Sequence, residues 1–120
     1  MSGPAAENRG ALGEDLSARF LTYKGYTVLA RNFRTRQGEV DLIAEDADFL
    51  VFAEVKTRRR GSLVSGEEAV DVHKQRRFLA AAEAWLIAFP SNKQPRCDVI
   101  CIDLKPDGAL ASLRHYRNAF

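Results

Sequence analysis

Residues 38–56 read GEVDLIAEDADFLVFAEVK, two apolar runs of strand length separated by the turn-forming segment Glu45-Asp46-Ala47-Asp48. Successive side chains of a strand point to opposite faces. In the first arm Val40, Leu42 and Ala44 alternate with Glu39, Asp41 and Ile43. In the second, Leu50, Phe52, Glu54 and Lys56 alternate with Val51, Ala53, Val55 and Thr57. Apolar residues therefore stand on both faces, so both faces need cover. That requirement selects a layered α/β arrangement over an open sheet with one wet side.

The flanking sequence supplies the cover. Residues 7–24 read as a helix stopped by Gly25, with Leu12, Leu16, Phe20 and Tyr23 as its apolar stripe and Glu14 on a small-residue flank. Residues 26–34 are strand-like, and Arg36-Gln37-Gly38 makes a turn. Residues 57–66 read as a basic loop and 67–89 as a long helix with the stripe Phe78, Ala82, Trp85, Leu86 and Phe89, ended by Pro90. Asp71, Lys74 and Gln75 fall at the head of that stripe. Residues 96–104 and 109–116 are strands around a Pro106-Asp107-Gly108 turn, and 117–120 a short tail. The order α-β-β-β-α-β-β predicts an antiparallel meander, then a helical crossover that returns the fourth strand parallel to an earlier one. With 120 residues and no repeat, one domain spanning 1–120 is expected, with 1–6 as a loose lead-in.

Three charged side chains interrupt the hairpin: Asp41, Glu54 and Lys56. Opposed residues in an antiparallel pair have a constant sum of positions. Setting 41 against 54 centres the turn between Ala47 and Asp48 and brings the two Cβ atoms to about 5 Å. Two carboxylates that close, among apolar neighbours, call for a cation. Mg²⁺ or Mn²⁺ suits oxygen donors, and the Val55 carbonyl is a further candidate ligand. Lys56, roughly 7 Å along the same face, could orient a water or neutralise charge developing on a phosphorane. The set supplies the parts for phosphodiester hydrolysis. Glu14, and Glu39 on the strand face of Asp41, are the candidates to complete the acid cluster.

The net charge is only +2, but basic residues cluster around the hairpin: Arg31, Arg34 and Arg36 before it, Arg58, Arg59 and Arg60 after it, then Lys74, Arg76 and Arg77. That is a local basic footprint suited to a nucleic-acid backbone. We take Arg34, Arg36, Arg58, Arg59, Arg60, Lys74 and Gln75 as the candidate nucleic-acid contacts. Cys97 and Cys101 lie four apart in one strand, roughly 13 Å, too far to bridge. Reduced cysteines, no secretory leader and no apolar run of membrane length point to a cytoplasmic protein without a membrane partner.

The pattern Asp41-x12-Glu54-x-Lys56 resembles the PD-(D/E)XK signature of the restriction-endonuclease-like superfamily, in the spacing of archaeal Holliday-junction resolvases. Val40 stands where the signature's proline would be. Gly13-Glu14, Asn32-Phe33-Arg34, residues 38–43 and residues 54–58 resemble more closely the bacterial YraN-like family of uncharacterised predicted endonucleases. The resemblance implies a restriction-endonuclease-like αβββαβ core with a central mixed sheet flanked by helices. It implies Asp41 and Glu54 as metal ligands, Lys56 as catalytic and Glu14 as an accessory acid. Lys74 and Gln75 match, more loosely, the place of further polar site residues on the following helix. The expected function is a Mg-dependent endonuclease acting on DNA, including branched DNA in repair or recombination. Cutting a four-way junction would need two sites, hence a homodimer. The alternatives are a non-catalytic nucleic-acid-binding protein using the same basic surface and a protein-interaction adaptor with a structural hairpin.

Overall fold

A computed structural model of the chain describes residues 5–60 and 72–120. Its elements are α1 (Ala5–Tyr23), β1 (Thr27–Arg34), β2 (Glu39–Glu45), β3 (Phe49–Arg59), α2 (Val72–Ala88), β4 (Gln94–Leu104) and β5 (Leu110–Tyr116). The strands form one mixed sheet in the order β1-β2-β3-β4-β5. β1–β2, β2–β3 and β4–β5 are antiparallel, and β3–β4 is parallel, as the meander and crossover require. The protein is thus an α/β fold, with a helix on each face of the sheet.

The two faces carry separate cores. On the α1 side Leu21 and Tyr26 pack with Leu42, Ala44, Val51, Ala53, Ile100, Ile102 and Leu104. On the α2 side Phe78, Ala81 and Ala82 pack with Val40, Ile43, Leu50 and Phe52. Burying apolar area on both faces at roughly 25 cal/mol per Å² stabilises the sheet from both sides. Among the described residues no helix is long and apolar enough to cross a membrane.

Local chemistry sets the element ends. The Tyr26 amide donates to the Leu21 carbonyl at 2.9 Å and the Gly25 amide to Thr22 at 3.0 Å, a Schellman cap with Gly25 at φ 100°. At the hairpin tip Asp46 Oδ1 accepts from the Asp48 and Phe49 amides at 2.9 and 2.7 Å. The register pairs Leu42 with Ala53 and Glu45 with Leu50, so positions sum to 95 and the turn is centred between Ala47 and Asp48 as expected.

Several expectations need correction. The buried line of α1 is Gly13, Ser17 and Leu21, whereas Leu12 and Tyr23 of the predicted stripe are exposed. The small residues let the helix lie close on the sheet: a Cβ on Gly13 would overlap Thr57. Phe89, predicted in the α2 stripe, is also exposed. Helix α1 begins at Ala5, inside the expected lead-in. Residues 57–59, expected in the basic loop, continue β3, because β4 pairs with it through Arg59↔Leu104. Residues 61–66 of that loop, and the expected helix start at 67–71 with Asp71, lie outside the described residues. Val40 does not share a face with Leu42 and Ala44. The alternation breaks where Asn32, at φ 53°, stands between the pairs Arg31↔Leu42 and Phe33↔Val40.

Candidate functional site

The β2–β3 ladder ends at Leu42↔Ala53. The same register carried one residue further sets Asp41 against Glu54. Here the backbone does not close: the Val55 amide donates to Asp41 Oδ2 at 2.8 Å. The strands open into a cleft of about 170 Å³ lined by Glu39, Asp41, Glu54, Val55, Lys74, Arg77 and Phe78. Helix α2 closes one wall. A Cβ on Gly38 would overlap the Arg77 carbonyl, so only glycine admits α2 this close to the start of β2.

Burial pushes the Asp41 carboxyl up from its ordinary 3.8 to about 6. The Val55 hydrogen bond opposes that rise, and the charges of Glu14, Glu54 and Glu39 add to it. Asp41, Glu54 and Glu39 line the cleft together; Glu14 does not line it, but its charge bears on Asp41. Glu54 is buried, and its Oε2 lies 3.2 Å from Lys74 Nζ. Glu14 stands on α1, where its Oε1 accepts from Asn32 Nδ2 at 2.9 Å. Asn32 is the residue whose left-handed backbone breaks the strand alternation, so one residue both shapes β1 and holds Glu14. Glu39 is more exposed and pairs with Arg34 at 3.2 Å.

Among the described residues no three His, Cys, Asp or Glu side chains converge tightly enough to enclose a metal. The donor chemistry nevertheless fits a hard divalent cation held on one side. Two carboxylates, one of them desolvated among like charges, and the adjacent Val55 would hold it, and water would complete the shell.

Lys56 is exposed, one pleat beyond Glu54, and does not line the cleft. The basic candidates divide. Lys74 is at the site, and Gln75 follows it on α2, half-buried. Arg34 faces Glu39, Arg36 is exposed in the turn before β2, and Arg60 is exposed after β3. Arg58 pairs with Asp103 at 3.1 Å. Arg59 is half-buried, with a buried Nε that bonds nothing among the described residues. The three consecutive arginines are thus not one cationic patch, because strand alternation separates them.

Two features were missed. Arg77 lines the cleft one helical turn after Lys74, a spacing that could have flagged it. The other is a buried network on the α1 face. Arg96 donates to both oxygens of Asp98 and, at 2.7 Å, to the Tyr26 hydroxyl. His115 Nε2 donates to Asp98 Oδ2 at 2.7 Å, and the Asn118 amide to Oδ1 at 2.9 Å. Burial would raise the Asp98 carboxyl, but these hydrogen bonds outweigh it and hold it at about 2. Nothing in the one-dimensional pattern marks this network, which joins residues up to 70 apart. Cys97 and Cys101 are free thiols, as their spacing requires.

The family model described as Uncharacterised protein family UPF0102 matches residues 13–102. The UPF0102 protein STH1475 of Symbiobacterium thermophilum is 46% identical over 112 residues, 92% of this chain and 94% of that protein. A UPF0102 protein of Rhodococcus opacus is 46% identical over the same shares. The UPF0102 protein TTE1452 of Caldanaerobacter subterraneus is 39% identical over 92% of this chain and 93% of its own length.

Proposed function

We propose that this chain, which belongs to the UPF0102 family, is a divalent-metal-dependent endonuclease acting on DNA. The observation that carries the reading is Asp41. A half-buried carboxyl raised to about 6 beside three other carboxylates costs stability in the free protein and is relieved by a cation. Such paired acids recur where a metal serves phosphoryl chemistry. When bound, Mg²⁺ or Mn²⁺ would activate a water and offset charge on the leaving oxygen.

The chain's own residues take the remaining roles. Asp41 and Glu54, with the Val55 carbonyl, present the oxygen donors. The Val55 amide fixes one Asp41 oxygen and leaves the other to the cleft. Glu14, held by Asn32, maintains negative potential at the mouth. Lys56, exposed on the strand of Glu54, is placed to meet a phosphate approaching from solvent, as are Lys74 and Arg77 at the α2 wall. The element order is in keeping with a restriction-endonuclease-like αβββαβ core, which supports the same reading. Branched or four-way DNA, cut by a homodimer, is the substrate class that the resemblance to archaeal Holliday-junction resolvases suggests.

One observation favours a second reading, a non-catalytic nucleic-acid-binding protein. Lys74 already pairs with Glu54 and partly neutralises the acids. The deciding experiment incubates metal-stripped protein with fluorescent linear, flapped and four-way DNA, with and without Mg²⁺ or Mn²⁺. Asp41→Asn and Lys56→Ala run beside it. Metal-dependent cleavage that falls at least ~100-fold in both variants is expected. Binding without cleavage, unchanged by Asp41→Asn, would select the second reading.

A further inference from the structure

Beyond the cleft, the face of the sheet that carries Glu54 continues across β4 and β5. The registers place its residues in rows. Glu54 neighbours Val99, which neighbours Tyr116; Lys56, Cys101 and Arg114 form the next row; Arg58, Asp103 and Ser112 the third. Helix α2 packs over Val40, Ile43, Leu50 and Phe52 and meets these rows at Glu54, through Lys74. Arg114 and Tyr116 lie past the stretch that matches the family model, and no role has been given them so far.

One carboxylate organises this surface. Asp103 accepts from Ser112 Oγ at 2.9 Å and pairs with Arg58 at 3.1 Å and Arg114 at 3.3 Å. Two guanidiniums share a single negative charge, so the group keeps a net positive charge, and Lys56 in the adjoining row adds another. A guanidinium has five N–H donors, and those not used on Asp103 remain available. The Arg58 and Arg114 side chains are 38% and 49% exposed, so they are held yet reachable. Arg114 Nη1 also donates to the Tyr116 hydroxyl at 3.2 Å, with its guanidinium carbon 5.9 Å from the ring centroid. Tyr116 is 45% exposed. A fixed aromatic ring beside anchored cations, on strands about 4.8 Å apart, is the combination used to hold unpaired nucleotides: phosphates on the cations, a base on the ring.

We infer that the β3–β4–β5 face binds single-stranded DNA and leads an unpaired strand to or from the Asp41–Glu54 cleft, with Tyr116 stacking a base and Arg58 and Arg114 taking phosphates. The partner's chemistry rests on the nuclease reading, but binding is measured without cleavage. A labelled oligodeoxynucleotide of roughly 12 nucleotides is titrated with the full chain in EDTA by fluorescence anisotropy, at several salt concentrations, beside a blunt duplex. Tyr116→Leu is expected to weaken the single strand roughly 5- to 100-fold and the duplex far less. Tyr116→Phe keeps the ring and is expected to bind like the wild type, which separates stacking from misfolding. Arg114→Gln is expected to weaken both ligands and lower the single-strand salt slope by about 0.7. Wild-type affinity in both Tyr116→Leu and Arg114→Gln, or no binding by the wild type, would overturn the inference. Cleavage by the wild type in Mg²⁺ with those variants unaffected would overturn it while leaving the nuclease reading intact. Tyr116-dependent binding with no cleavage would uphold it and remove the nuclease reading.

Discussion

The Val55 amide hydrogen-bonds Asp41 Oδ2 at 2.8 Å, at the point where the β2–β3 ladder stops. A backbone donor that would otherwise continue the sheet is spent on a carboxylate. The strands therefore part there, and the cleft exists because of that exchange. The same bond opposes, without cancelling, the burial that lifts Asp41 to about 6.

In metal-free protein this gives a signed pH dependence. Asp41's folded value exceeds the unfolded 3.8, so its contribution is fully present below about pH 4 and is lost as pH rises through about 6. The gap corresponds to at most ~3 kcal/mol, and solvent access to the cleft reduces the expectation to ~1–2 kcal/mol. Asp41→Asn retains an acceptor for Val55 and removes the charge. In urea unfolding the variant should match the wild type near pH 4 and exceed its stability at pH 8. Equal stability differences at both pH values would argue against a destabilising carboxylate.

The Asp98 network has the opposite sign. With its folded value held at about 2, Asp98 contributes stability above the unfolded 3.8 that disappears as pH falls through about 2. Asp98→Asn at pH 7 should cost ~3–5 kcal/mol, because Arg96, only 6% exposed, is left without its counter-ion. Adding Arg96→Met should recover part of the loss in a double-mutant cycle, and strict additivity would count against the pairing.

Two glycines are expected to fail differently. Gly38→Ala meets the backbone carbonyl of Arg77, which cannot rotate away, so α2 must shift. A loss of ~2–4 kcal/mol in thermal melts is expected, with no single side-chain rescue. Gly13→Ala meets the Thr57 side chain, and Thr57→Ala in the same chain should restore much of the stability. Rescue of both, or of neither, would contradict these contacts.

Lys74 competes with any cation for Glu54 from 3.2 Å, but its side chain is 61% exposed and the pair is correspondingly weak. Removing it as Lys74→Ala should tighten Mn²⁺ binding by a modest ~2- to 5-fold, as ~0.5–1 kcal/mol implies. The same variant should weaken DNA binding, since a phosphate contact is lost. Weaker binding of both ligands would instead make Lys74 part of the cation site.

Much of this was legible because strand geometry is arithmetic. A constant sum of 95 follows once the turn is placed at Ala47-Asp48, and with it the opposition of Asp41 and Glu54. The parallel return of β4 followed from the helical crossover. The helix faces were less legible, since apolar content pointed to Leu12 and Tyr23 while close approach selected Gly13 and Ser17. Asn32 could be assigned no role until its φ of 53° and its bond to Glu14 were seen. The arginine run at 58–60 reads as a loop from composition, whereas pairing with β4 extends β3 through Arg59. As part of β3 it sends Arg58 to Asp103 and Arg59 to the other side. Arg96–Asp98–His115 joins residues through tertiary placement, which local pattern does not encode.

In the proposed function Asp41 and Glu54 together hold one divalent cation. Calorimetric titration of Mn²⁺ into metal-stripped protein at pH 7.5, above the Asp41 value of about 6, tests it without needing the right DNA. Saturable binding at one site per chain is expected, abolished or weakened at least ~10-fold by Asp41→Asn and by Glu54→Gln alike. No binding by the wild type, or binding that both variants retain unchanged, would contradict it.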